Sequence, residues 1–160
     1  AYGKYISSIT CSDGSDNLEL ISKFLSETEG LEDDTSDATL YPAFYFAKNY
    51  KNVAGSHVLG TEYEDGWYLP SLAELEAIKS QIGFSENSGL NYDLELCGGD
   101  RFCYDDEYCE YWTASQGSPT TGFDESGKQI LIPKIEYSYF GYKNMDTLKQ
   151  KKYACAIREF

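Results

Sequence analysis

Apolar positions recur at helical spacing in the first half of the chain and gather into strand-like runs in the second. Leu18, Ile21 and Leu25 are spaced for one helix face, which predicts a helix over Asn17–Leu25 with Asp16 or Ser15 as its cap. The following stretch, Glu27–Asp37, is acidic, contains Gly30 and reads as a solvated loop. In Tyr41–Tyr50, Pro42 suits a first helical turn, and Ala43, Phe46, Ala47 and Tyr50 then share one face. The sharpest local signal is Gly66-Trp67-Tyr68-Leu69-Pro70-Ser71-Leu72-Ala73-Glu74-Leu75. Pro70 keeps Leu69 extended, because its ring disfavours helical backbone in the residue before it. Ser71 and Glu74 form an S-x-x-E capping box, in which each side chain accepts from the other's backbone N–H. Leu72, Leu75, Ile78 and Ile82 carry the apolar face onward, so a helix is predicted over residues 71–80.

Gly83–Glu110 has few periodic apolar positions and reads as one long loop, rich in Gly, Asn, Asp, Ser and Cys. Tyr111–Ser115 is strand-like, Gln116–Lys128 is a polar loop, and Gln129–Phe140 predicts one or two strands broken near Pro133. Tyr142–Lys151 reads as a loop. Lys152–Phe160 is expected as a last strand inside the sheet, with Tyr153, Cys155 and Ile157 on one face and Ala154, Ala156, Arg158 and Phe160 on the other. Helices first and strands afterwards indicate an α+β domain.

The 160 residues suit one domain, 1–160, and a hydrophobic fraction of 41% with 16% aromatics is too apolar for a disordered chain. The net charge of −14 changes the picture more. Such a field repels nucleic acid and anionic lipid headgroups, and it favours solubility, cations and basic partners. No apolar run is long enough to span a bilayer, and no signal peptide is visible. The chain starts at Ala1 without Met, which suits a processed or trimmed product, and a removed export signal would leave no trace here. Cys97, Cys103 and Cys109 stand at equal intervals in the long loop, with Cys11 and Cys155 apart. A local disulfide among the three would imply an oxidising compartment, and the odd count leaves at least one thiol unpaired or bridged to another chain. The spacing lacks the paired CxxC hooks of a zinc ribbon.

Taken in order, Tyr41-Pro42-Ala43-Phe44, the Gly66–Leu75 stretch, Tyr111-Trp112-Thr113-Ala114-Ser115-Gln116, Phe140-Gly141 and Ala156-Ile157-Arg158-Glu159-Phe160 resemble a bacterial extracellular domain. It is found in spirochaete-type surface lipoproteins and carries a W-x-L-P-[ST]-x-x-E-L core. That domain is similar to the formylglycine-generating-enzyme branch of the C-type lectin fold. The markers run from residue 41 to 160, and residues 1–40 match weakly. The resemblance implies two helices beside small twisted antiparallel sheets, with long loops over one face. It also implies that Trp67 and Trp112 are buried. Some relatives are diversified by diversity-generating retroelements, and the mixture at Asn91–Glu110 suits such a region. The EPN, QPD and WND motifs of calcium-dependent sugar binding are missing, and the reactive cysteine pair of a formylglycine-generating enzyme cannot be placed.

These readings make the chain a secreted or surface-displayed domain that binds a protein or glycan rather than an enzyme, with any lipid anchor outside this chain. The alternative is a structural or assembly module of a larger envelope protein. Tyr92, Phe102, Tyr104, Tyr108 and Phe123 lie among polar loop residues and are the candidate ligand-binding residues, the competing role being to pack the loops down. Ser71, the candidate nucleophile by residue type, is explained by capping. His57, the single histidine, reads as an exposed loop residue, and Cys155 as a buried reduced thiol. Arg158, in a terminal core strand, requires a partner such as Glu74. No cofactor is expected beyond calcium, for which Asp13-Gly14-Ser15-Asp16-Asn17 offers oxygen ligands around a glycine without the remainder of an EF-hand loop.

Overall fold

The computed structural model describes residues 12–27, 38, 41–82, 89–102, 110–139, 143–146 and 153–159. In these, α1 (Gly14–Glu27), α2 (Pro42–Lys48), a 3-10 turn at Tyr50–Asn52, α3 (Leu72–Gln81) and α4 (Leu90–Leu96) precede β1 (Glu110–Phe123), β2 (Gln129–Tyr139) and β3 (Lys143–Asp146). The strands form one antiparallel sheet in the order β1-β2-β3. The class is therefore mixed α+β.

Helices α1 and α3 begin where a side chain supplies acceptors for their first N–H groups, whereas α2 and α4 start without a side-chain cap. Asp13, one residue before α1, accepts from the Ser15 and Asp16 N–H groups at 2.9 and 3.1 Å and from the Ser15 hydroxyl. That replaces the expected Ser15 or Asp16 cap, both of which lie inside the helix. Pro42 opens α2 as predicted. In α3 the capping box is complete: Ser71 Oγ accepts from Glu74 N–H, and Glu74 accepts from Ser71 N–H. A further acceptor, Ser115 Oγ, comes from β1 to take the Leu72 N–H at 2.9 Å.

Two apolar clusters hold the layers together. Ile21, Phe44, Ala47, Leu69 and Ala114 form one, with Leu18, Phe24, Tyr41, Trp112, Ala154 and Ala156 packed against it. Leu75 and Tyr111 form the other, joined by Phe102 and Cys155. On α2 the buried residues are Phe44 and Ala47, whereas Phe46 is half-buried and packs edge to face on half-buried Tyr50 of the following 3-10 turn.

Several sequence expectations are corrected. The long loop contains α4, which the periodicity misses because the helix is anchored by buried Asn91, not by an apolar stripe. Asn91 Oδ1 accepts from Phe102 N–H at 2.8 Å, and its amide donates to Phe102 O at 2.9 Å. The polar run after Ser115 is strand through Phe123, since backbone pairing to β2 carries it without an apolar face. Lys143–Asp146, expected in a loop, is β3. The final segment is not a continuous strand. It touches the rest through two isolated bridges, Tyr111↔Tyr153 and Tyr68↔Ile157, although its alternation survives: Ala154 and Ala156 meet the first cluster and Cys155 the second.

Pro133 does not break β2. It falls opposite a register shift between Gly117 and Thr120, so Pro119 and Pro133 share one irregularity where ladder donors are not required. A second shift, between Trp112 and Gln116, lets buried Thr113, Ala114 and Ser115 turn toward the start of α3. Ala114 N–H donates to Pro70 O at 2.7 Å there. This bulge ties the base of the β1–β2 hairpin to the helical layer.

Candidate functional site: the Glu74 junction and the aromatic positions

Glu74 sits where three segments meet. Its Oε2 accepts from Ser71 N–H at 2.7 Å and from Gly14 N–H at 2.9 Å, so one carboxylate oxygen receives the leading ends of α3 and α1 together. Its Oε1 accepts from the Tyr68 hydroxyl at 2.9 Å. Helix N-termini favour negative charge, which is why a half-buried carboxylate is stable here. Tyr68 is in turn pinned by paired backbone bonds with Ile157 at 2.9 and 3.0 Å. Burial first, and then the bond to Glu74, raise the Tyr68 hydroxyl well above the ordinary phenol range, so it stays a donor. Gly14 is required by space: a Cβ would lie 2.3 Å from Leu69 O and 2.7 Å from Ser71 N.

Carboxylate oxygens of Asp13, Glu74 and Glu159 also lie within 4.8 Å of one another. Such an oxygen set has the chemistry of a hard-cation ligand. The expected Asp13–Asn17 stretch supplies only Asp13 to it. Asp16 is exposed, Asn17 is fully buried, and the Asp13 oxygen that caps α1 is held by Ser15 and Asp16. The Asp16 N–H, then the Ser15 hydroxyl, hold the Asp13 carboxyl below its usual range.

Arg158 does not pair with Glu74, whose two oxygens already accept three hydrogen bonds. Its Nη1 donates to Glu62 O at 2.7 Å, and its guanidinium lies 5.3 Å from the Tyr63 ring centroid, a cation–π contact. The Arg158 side chain passes by Gly66, where an added Cβ would lie 3.7 Å from its Nε, and the Gly66 φ of +88° suits glycine. Trp67 and Trp112 are half-buried rather than buried. Trp67 stacks on Tyr50 with centroids 4.4 Å apart and donates its indole N–H to Tyr63 O at 2.7 Å, a bond that keeps one edge near the surface. Trp112 packs against the first core cluster.

The five aromatic candidates do not share one environment. Phe123 is 71% exposed where β1 meets the Asp124–Lys128 turn. Tyr92 is half-buried on α4. Phe102 packs on Tyr111 at 5.6 Å between centroids and belongs to the second core cluster, so its ring serves packing. Tyr104 and Tyr108 lie outside the described residues, as do Cys103, Cys109 and Cys11. Cys97 is free and exposed, so the local disulfide does not run through it. Cys155 is a free thiol that burial pushes up to about 12. His57 is exposed, as expected, and holds a positive φ of 53°.

Sequence reasoning identified Ser71 and Glu74 but not their meeting with Gly14, Tyr68 and Glu159. The signal available was Asp13-Gly14, a capping residue followed by the smallest residue, immediately before a helical pattern. Comparison with known proteins finds no matching family model, no matching curated protein and no matching solved structure.

Proposed function

We propose that this is a secreted or cell-surface ligand-binding domain, built on a C-type-lectin-like scaffold, that offers loops and a hairpin to a protein or glycan partner. One observation carries the reading: an aromatic side chain, Phe123, is 71% exposed at the far end of a hairpin whose base is fixed by buried Thr113, Ala114 and Ser115. An exposed ring on a braced support binds with little ordering loss, because the support does not have to be immobilised. The turn itself is braced, as Asp124 Oδ1 accepts from Ser126 and Lys128 N–H groups at 2.9 Å each. Binding rather than catalysis is favoured by the exposed loop position of His57 and by burial that raises the Cys155 thiol to about 12, away from the thiolate form. Among the described residues no helix is long and apolar enough to cross a membrane.

The test is a screen against glycan and extracellular-protein arrays, with and without calcium, since Asp13, Glu74 and Glu159 are where a hard cation would find oxygens. For a ligand so found, Phe123→Ala combined with Tyr92→Ala should weaken binding by more than ~2 kcal/mol while the melting curve is retained. A folded double variant with unchanged affinity removes the hairpin and α4 from the binding face. An altered assembly state without any ligand would favour the structural-module alternative.

A further inference from the structure

The loop between the Tyr50–Asn52 turn and Trp67 displays two apolar side chains, Leu59 at 62% and Tyr63 at 41% exposure. A lone exposed leucine needs no explanation. What does need one is how firmly this loop is held while presenting them. Gly60 N–H donates to Glu64 Oε2 at 2.8 Å, and Glu64 Oε1 accepts from Lys51 Nζ at 2.9 Å. Lys51 also reaches Asp65 at 2.9 Å. Val58 O accepts from both the N–H and the hydroxyl of Thr61, and Thr61 Oγ1 accepts from Tyr63 N–H at 3.1 Å. Trp67 at the end of the loop then donates to Tyr63 O, and Arg158 from the last segment donates to Glu62 O. Gly55, Gly60 and His57 all hold positive φ, the last without glycine's freedom.

A surface fixed in this way loses little freedom when a partner docks, so burial of Leu59 and Tyr63 translates into affinity. The rim sets the partner's charge. Glu62 and Asp65 are exposed in the same loop, the Asp65 side chain at 81% even while it bridges to Lys51, on a molecule of net charge −14. Lys51, at 29% side-chain exposure, is turned to Glu64 and Asp65, and Arg158 is turned to Tyr63 and Glu62 O.

We infer that the Leu59–Tyr63 loop is an interaction surface for a basic protein segment, one that offers an apolar side chain or pocket flanked by Lys or Arg. The face is built from residues other than those of the Phe123 hairpin and goes beyond the function proposed above. The experiment selects a phage-displayed library of short random peptides on the full chain and measures the enriched peptides against variants by calorimetry. The expected peptides combine Lys or Arg with a large apolar residue and weaken as salt rises. Leu59→Ser should cost them at least about tenfold in Kd. Glu62→Gln should weaken them and flatten the salt dependence, and Phe123→Ala should leave them unchanged. Circular dichroism confirms that each variant folds. Enriched peptides without basic residues, or equal binding to wild type and Leu59→Ser, overturn the inference. So does loss of binding in Phe123→Ala alone. Sedimentation showing self-association that Leu59→Ser abolishes would make a second copy the occupant and overturn the basic partner. The hairpin reading is judged separately, by Phe123→Ala against its own array ligand.

Discussion

A methyl group on residue 14 would enter space already held by Leu69 O and Ser71 N, at 2.3 and 2.7 Å. Alanine improves helix propensity by at most about 1 kcal/mol. Overpacking against rigid backbone costs about 1–3 kcal/mol, and the Gly14–Glu74 bond would be displaced as well. The steric effect wins, so Gly14→Ala should destabilise by about 2–3 kcal/mol in urea unfolding. Ser71→Ala, which removes one cap acceptor, should lose about 1 kcal/mol. A Gly14→Ala protein as stable as wild type would show that the α1–α3 junction is not packed as described. Cysteines give a second residue-scale outcome. Cys155, half-buried against the second core cluster with its thiol pushed up to about 12, should resist alkylation of the native protein near pH 8, while exposed Cys97 reacts. Mass spectrometry after labelling distinguishes them. Early labelling of Cys155 would show that the second core cluster opens. At this scale the capping box was legible because it is local, within Ser71–Glu74. The contacts of Arg158 were not, since its partner Glu62 is 96 positions away.

At the scale of elements, α1 depends on an ionised Asp13. Its folded carboxyl titrates below the ordinary value of 3.8, so it binds protons less readily folded than unfolded. The stabilisation is therefore complete above that ordinary value and is lost as pH falls through the lower folded one. Asp13→Asn keeps a capping oxygen and removes the charge. The wild type should exceed this variant by a few tenths to about 1 kcal/mol near neutrality, and the gap should close below pH 3.8. Urea unfolding of both proteins across acid pH measures it, and a gap independent of pH would assign Asp13 a purely steric role. The helices α1, α2 and α3 were visible in the sequence because amphipathic spacing and N-terminal signals coincide there. The helix α4 was not, since a buried asparagine holds it. The second half of β1 was not either, because Thr, Ser, Gly and Pro carry no alternation, and its strand exists through pairing with β2.

For the whole molecule, the α3 start and the Thr113–Ser115 bulge are joined by backbone and side-chain hydrogen bonds, and the bulge contributes Ala114 to the first apolar cluster while α3 contributes Leu75 to the second. The net charge biases any partner of such a scaffold toward basic chemistry, whichever face it uses. By itself the sequence determined the α+β class, the helix start at Ser71 and the alternation of the last segment, all consequences of neighbouring residues. The tertiary structure alone decided that Glu74 joins two helix ends to Tyr68 and that Arg158 reaches Tyr63 rather than Glu74. It alone decided that Phe102 belongs to the core while Phe123 is exposed. Those outcomes depend on which distant backbone donors and rings come within a few ångströms, and spacing along a chain does not encode that distance.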